Sequence, residues 1–133
     1  MTPTPVVTGL MLCDHVIYEE GTGKVSPIGI FNRLRVDKFP STPIPFWVFA
    51  MLTDGLGMGK IKVVVTQLET GIEVLSRGSS VYFQDRLYMV NQRVKLTTCS
   101  FPAPGWYSIT LSIDGVPVAD RRLEILLQGA SHD

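Results

Sequence analysis

Apolar and polar residues along this chain alternate with a period of two, not the 3.6 of a helix. In "WYSITLSI" (106–113), Tyr107, Ile109, Leu111 and Ile113 interleave with Trp106, Ser108, Thr110 and Ser112. This is the pattern of a half-buried strand with one apolar and one mainly polar face. "IGIFNRLRVDKF" (28–39) reads the same way, with Ile30, Leu34 and Val36 on one face and Arg33, Arg35 and Asp37 on the other. "KIKVVVTQLE" (60–69) is rich in β-branched residues and also reads as a strand. "PFWVFAMLTD" (45–54) is apolar on both faces, which predicts a central strand or one whose outer face meets another subunit.

Turn chemistry separates these runs: Gly21-Thr22-Gly23, Pro40 to Pro45, Asp54-Gly55, Thr70-Gly71, Gly78, Pro102 to Gly105 and Asp114-Gly115. Asp and Gly both tolerate the positive φ of a type I′ turn, so "SIDGVPVADRRLEILL" (112–127) predicts strand, tight turn, strand. Leu87, Val90, Asn91 and Val94 have a helix-like spacing that leaves room for one short helix at most. The pattern predicts one domain over 1–133, with frayed tails at 1–5 and 128–133.

Composition narrows the function. Twelve Lys and Arg balance twelve Asp and Glu, and no basic block stands out. That argues against a nucleic-acid binder whose affinity comes from neutralising phosphates. The charged fraction of 18% is low, and the mean hydropathy is +0.22. A small domain has much surface and little interior, so this apolar lean implies self-association. No run approaches the ~18 apolar residues of a membrane span, and the N-terminal stretch lacks the features of a secretory signal. Cys13 and Cys99 do not make a disulfide framework; a cytoplasmic protein with reduced, buried thiols is the simplest expectation.

The chemistry-bearing residues do not converge. Cys13, Asp14 and His15 are the types that build nucleophilic and metal sites, but strand alternation puts Cys13 and His15 on one face and Asp14 on the other. A zinc site would also need Cys99 and the near-terminal His132 to converge on them. "TDGLGMGK" (53–60) resembles a phosphate loop only in its glycines, because Lys60 opens a strand pattern and no Ser or Thr follows it. The carboxylates are scattered. No catalytic residue, cofactor or metal ligand is therefore predicted. Trp106, on the face opposite Tyr107, is the aromatic residue most suited to an outward contact.

"LCDHV…GTGKVSPIGIFNRLRVDKFP" and "FPAPGWYSITLSIDGVPVADRRLEI" together resemble an uncharacterised family of small bacterial and phage-encoded proteins. The resemblance spans most of the chain and implies no activity and no catalytic residue. The closing Pro-Gly-x-Tyr also resembles the last hairpin of immunoglobulin-like sandwiches, in which Tyr107 would be the structural corner. The fold expected is an all-β sandwich of about seven to nine mostly antiparallel strands, immunoglobulin-like by preference, with a jelly roll as the alternative. The function expected is a non-enzymatic interaction or assembly module. It would bind a second copy or another protein, not nucleic acid or membrane, through an apolar sheet face or edge. Phe46, Trp47, Phe49 and Trp106 are the candidate interface residues. The alternatives are a small-molecule or carbohydrate-binding domain using loops 20–27, 53–60 and 102–105 at one end, and an enzyme built on Cys13 and His15.

Overall fold

A computed structural model describes residues 4–129 and contains nine strands and, among those residues, no helix. They are β1 (Val6–Tyr18), β2 (Val25–Phe31), β3 (Arg33–Val36), β4 (Phe46–Thr53), β5 (Gly57–Gln67), β6 (Glu73–Phe83), β7 (Val90–Leu96), β8 (Gly105–Ile113) and β9 (Val116–Leu127). One sheet has the order β2-β1-β4-β7 and the other β3-β9-β8-β5-β6. All neighbours are antiparallel except β3 and β9, which run parallel.

Period-two alternation builds the core. Phe46, Val48, Ala50 and Leu52 of β4 face Ile61, Val63 and Val65 of β5 and Tyr107, Ile109, Leu111 and Ile113 of β8, all buried in one cluster. Removing each such aliphatic or aromatic side chain from water contributes about 1.5–3 kcal/mol before chain entropy is charged against it. A register shift between Val7 and Gly9 of β1 lets both Val7 and Leu10 reach this core although they are three residues apart. The strand order is that of an immunoglobulin-like sandwich: β1, β4 and β7 take the places of strands A, B and E, and β5, β8 and β9 those of C, F and G. A jelly roll is not the arrangement adopted.

The tight turn between β8 and β9 has φ of 49° at Asp114 and 83° at Gly115, the positive pair a two-residue type I′ hairpin needs. Other expectations are corrected. Residues 28–39 do not form one strand: the chain leaves the first sheet after Phe31 and enters the second at Arg33, and Glu124 donates its amide to the Asn32 carbonyl at the crossing. The crossing resets the alternation, so Phe31, Leu34 and Val36 pack on the core while Ile30 is 60% exposed. The helix-like spacing near Leu87 is a turn followed by β7. Asp85 closes that turn by accepting from the Leu87 amide on its side chain (2.9 Å) and from the Tyr88 amide on its carbonyl (3.2 Å). Of the expected tails, Pro5 is buried and the Gln128 amide donates to the Val36 carbonyl at 2.6 Å. Residues 1–3 and 130–133 lie outside the described residues.

Candidate interaction surfaces

Strand β1 outruns its neighbour β4. Their pairing ends at Cys13 opposite Trp47, and Asp14–Tyr18 pair only with β2. The result is a two-stranded arm, closed at its tip by the Glu19 amide on the Lys24 carbonyl (2.8 Å) and the Gly23 amide on the Glu19 carbonyl (3.0 Å). Register places His15 opposite Ile28 and Ile17 opposite Ser26 on one face, continuous with Ile30 opposite Cys13. Ile17, Ile28 and Ile30 are all exposed there, and Tyr18 is exposed on the other face. A two-stranded ribbon is marginally stable by itself in water, so these apolar side chains are costly as solvent-facing residues. Gly29, at φ +70°, sits across from Asp14, and a Cβ there would come within 2.5 Å of Asp14 Oδ2. The arm therefore requires glycine at that position.

The four residues expected at an interface separate. Phe46 is in the core, edge-on to Phe31 with ring centroids 5.8 Å apart. Phe49 points to the outer face of its sheet yet is only 3% exposed, standing in register between Met11 of β1 and Arg93 of β7. Neither is available to a partner, because long neighbours on the adjoining strands cover a residue in a central strand. Trp47 is half-buried on the same outer face, with the Arg93 guanidinium 5.7 Å and the Lys95 ammonium 5.5 Å from its ring centroid. Trp106 is 45% exposed on the other sheet.

The reactive triplet is taken apart by the arm. Cys13 is fully buried, and burial, helped by the Asp14 charge, pushes its thiol pKa up despite a backbone hydrogen bond involving Ile28. His15 is exposed on the arm. Cys99 is buried elsewhere, its thiol pushed up to about 12 by burial. A thiol is nucleophilic as thiolate, so both cysteines are held in their inert form at neutral pH. Among the described residues no three His, Cys, Asp or Glu side chains come together as metal ligands; His132 lies outside them.

Around Trp106 lies a feature that sequence reasoning missed. Trp106 is opposite Glu124 in the β8–β9 register, and Glu124 is only 6% exposed although alternation puts it on the outer face. Arg33, opposite Glu124 across the parallel β3–β9 pair, places Nε 3.1 Å from Oε1. Nothing local in sequence joins residues 33 and 124. Leu68, Glu69, Gly105, Trp106 and Arg122 line a shallow hollow of about 460 Å³ beside them.

The sequence of this sandwich matches the model of a family of unknown function, DUF6941, over residues 9–126. The chain belongs to that family. The DUF6941 span takes in the arm, the crossing at Asn32 and nearly all of β9. An immunoglobulin-like protein from Pseudomonas aeruginosa is a structural neighbour, with a TM-score of 0.44 and 8% identity over 92% of this chain and 97% of that one. No match is found among curated proteins.

The loops of this DUF6941 chain do not share an end. Lys60 donates its amide to Asp114 Oδ1 at 2.9 Å and accepts the Asp114 amide on its carbonyl, which fixes the start of β5 beside the β8–β9 turn. Residues 102–105 lead into the opposite end of β8, and the tip of the arm points away from the Val6–Thr53 end of its sheet. Loops 20–27 and 102–105 are thus remote from 53–60, and no single rim unites the three.

Proposed function

We propose that this protein is a non-enzymatic assembly module that self-associates through the face of the β1–β2 arm. The observation that carries this reading is the row of exposed isoleucines, Ile17, Ile28 and Ile30, on a ribbon that has no second layer beneath it among the described residues. Burying that row against a second copy would remove apolar surface from water and give the ribbon the packing it lacks. The face is favoured over the edge because Pro27, in the middle of β2, offers no N–H to a further strand. Free, buried cysteines fit a reducing, cytoplasmic setting.

Sedimentation of the wild type and of an Ile28→Lys/Ile30→Lys variant tests the reading. Both sites are exposed, so the variant should fold normally. The expected result is a wild-type mass above 14.7 kDa that falls to it in the variant. A wild type that stays at the monomer mass at the highest attainable concentration would overturn the proposal.

A second reading, a carbohydrate-binding domain, draws on Trp106 beside Glu69 and Arg122 in the hollow on the other sheet. A screen of oligosaccharides against wild type and Trp106→Ala, read by calorimetry, separates it from assembly. Binding lost in the variant supports the reading, and no binding to any sugar rejects it.

A further inference from the structure

Strand β9 is twelve residues long, and β3 covers only its last four, Glu124–Leu127. The amides that reach β3 belong to even-numbered residues: Glu124 donates to Asn32 and Gln128 to Val36. Backbone groups alternate sides along a strand, so those of Asp120 and Arg122 point to the same side, where no strand is paired with β9 among the described residues, although β1 passes close to it. Across the gap, β1 is similarly bare, because β2 begins pairing only at Leu12. A side-chain link spans the opening, from Arg121 Nε to the Leu10 carbonyl at 2.6 Å.

Behind this half-edge runs a groove of about 410 Å³, its apolar wall formed by Leu10, Leu12, Ile30 and Phe31. Arg121 and Arg122 stand at its mouth, both exposed, and neither is ion-paired with a carboxylate among the described residues. Backbone without a strand partner, an apolar groove on the inner side and an exposed guanidinium, that of Arg122, with no ion-pair partner among the described residues thus occur together. Each calls for a different part of one ligand: main-chain amides, apolar side chains and a carboxylate.

We propose that the open half of β9 takes an extended peptide from a partner protein as an added strand, with apolar side chains turned into the groove and a carboxylate beside Arg122. Strand addition supplies affinity through the main chain and specificity through alternate side chains. Val118–Leu123 can pair with a segment of about six residues, roughly 20 Å long. Beyond them β3 blocks further pairing at one end, and the N–H-less Pro117 limits it at the other. Of the groove residues named, Ile30 also belongs to the arm, whereas Arg122 does not line the arm and Ile28 does not line the groove, so Arg122→Glu and Ile28→Lys test this proposal and self-association separately.

The test uses a fluorescently labelled, end-capped peptide alternating Glu and Val, with two controls: the Lys/Val counterpart and a version N-methylated at alternate residues. The expected result is saturable binding of the Glu/Val peptide by fluorescence anisotropy, at least tenfold weaker for either control and for the Arg122→Glu protein. Amide exchange at Asp120 and Arg122 should slow when the peptide is bound. Equal binding of the N-methylated peptide, absence of saturable binding, or protection confined to the arm would overturn it. Protection of the same two amides by raising the protein concentration alone would also overturn it, by assigning the edge to a second copy of this chain.

Discussion

The Tyr107 hydroxyl donates to the Ala103 carbonyl at 2.6 Å and accepts from the Ala103 amide at 3.3 Å. One core side chain thereby holds both backbone groups of a residue four positions upstream and fixes how the chain turns into β8. The ring is fully buried and meets Phe101 edge-on, with centroids 5.0 Å apart. Tyr107 is the tyrosine corner of an immunoglobulin-like sandwich, placed at the start of the strand that corresponds to F.

Tyr107→Phe keeps the ring packing and removes only the hydroxyl, leaving the Ala103 carbonyl and amide without their partner. The expected cost is about 1–2 kcal/mol. In urea unfolding this lowers the midpoint and leaves the slope unchanged. A variant as stable as the wild type would mean that solvent replaces the hydroxyl at no cost.

Gly55 and Gly78 make a matched pair of opposite sign. A Cβ on Gly55 would lie 2.6 Å from the Phe83 ring, which is itself buried and cannot swing away. Gly55→Ala should therefore destabilise by about 1–3 kcal/mol through overpacking. At Gly78 the nearest atom is the Ile61 carbonyl oxygen at 3.8 Å, an ordinary contact, and the residue is exposed on the edge strand β6. Gly78→Ala should stabilise by about 0.4–1 kcal/mol by restricting the unfolded chain. Thermal unfolding of the two variants checks both signs.

Local features of the sandwich were legible in the sequence because they depend on neighbours in the chain. The Asp114–Gly115 turn, the alternation of β8 and the opposition of Trp106 to Tyr107 all follow from residues a few positions apart. Features set by pairing between distant strands were not. That Ile30 is exposed depends on the sheet crossing at Asn32, and that Phe49 is hidden depends on Met11 and Arg93 flanking it. The arm exists because β1 is longer than β4, and the open half of β9 because β3 is short. Strand lengths in different parts of the chain thus decide which apolar residues face a partner, and no window of sequence contains both lengths.

Glu124 and Arg33 provide a test of that long-range pairing. Arg33→Met leaves a nearly buried carboxylate without the guanidinium at 3.1 Å. The expected loss is about 1–3 kcal/mol, moderated because Arg33 is itself partly exposed. Adding Glu124→Gln to Arg33→Met removes the carboxylate charge as well and should recover part of that stability. A double-mutant cycle by urea unfolding reads the coupling. Strictly additive single effects would show that the contact contributes nothing to stability.

The Cys99 thiol sets an alkaline limit on stability. Its pKa is raised from 9.0 to about 12 by burial, so the folded state holds the proton after the unfolded chain has released it. Stability from this group is complete below pH 9 and is lost as pH rises from 9 through 12, with a slope approaching about 1.4 kcal/mol per pH unit. Tyr107 and Cys13, both raised mainly by burial, add to the loss in the same direction. Urea midpoints measured at several values between pH 8 and 11 should fall more steeply in the wild type than in Cys99→Ala. The variant carries a fixed packing penalty at every pH but has no thiol to ionise. Parallel curves would show that Cys99 meets solvent in the native state, and the thiol should then also react with an alkylating reagent without unfolding.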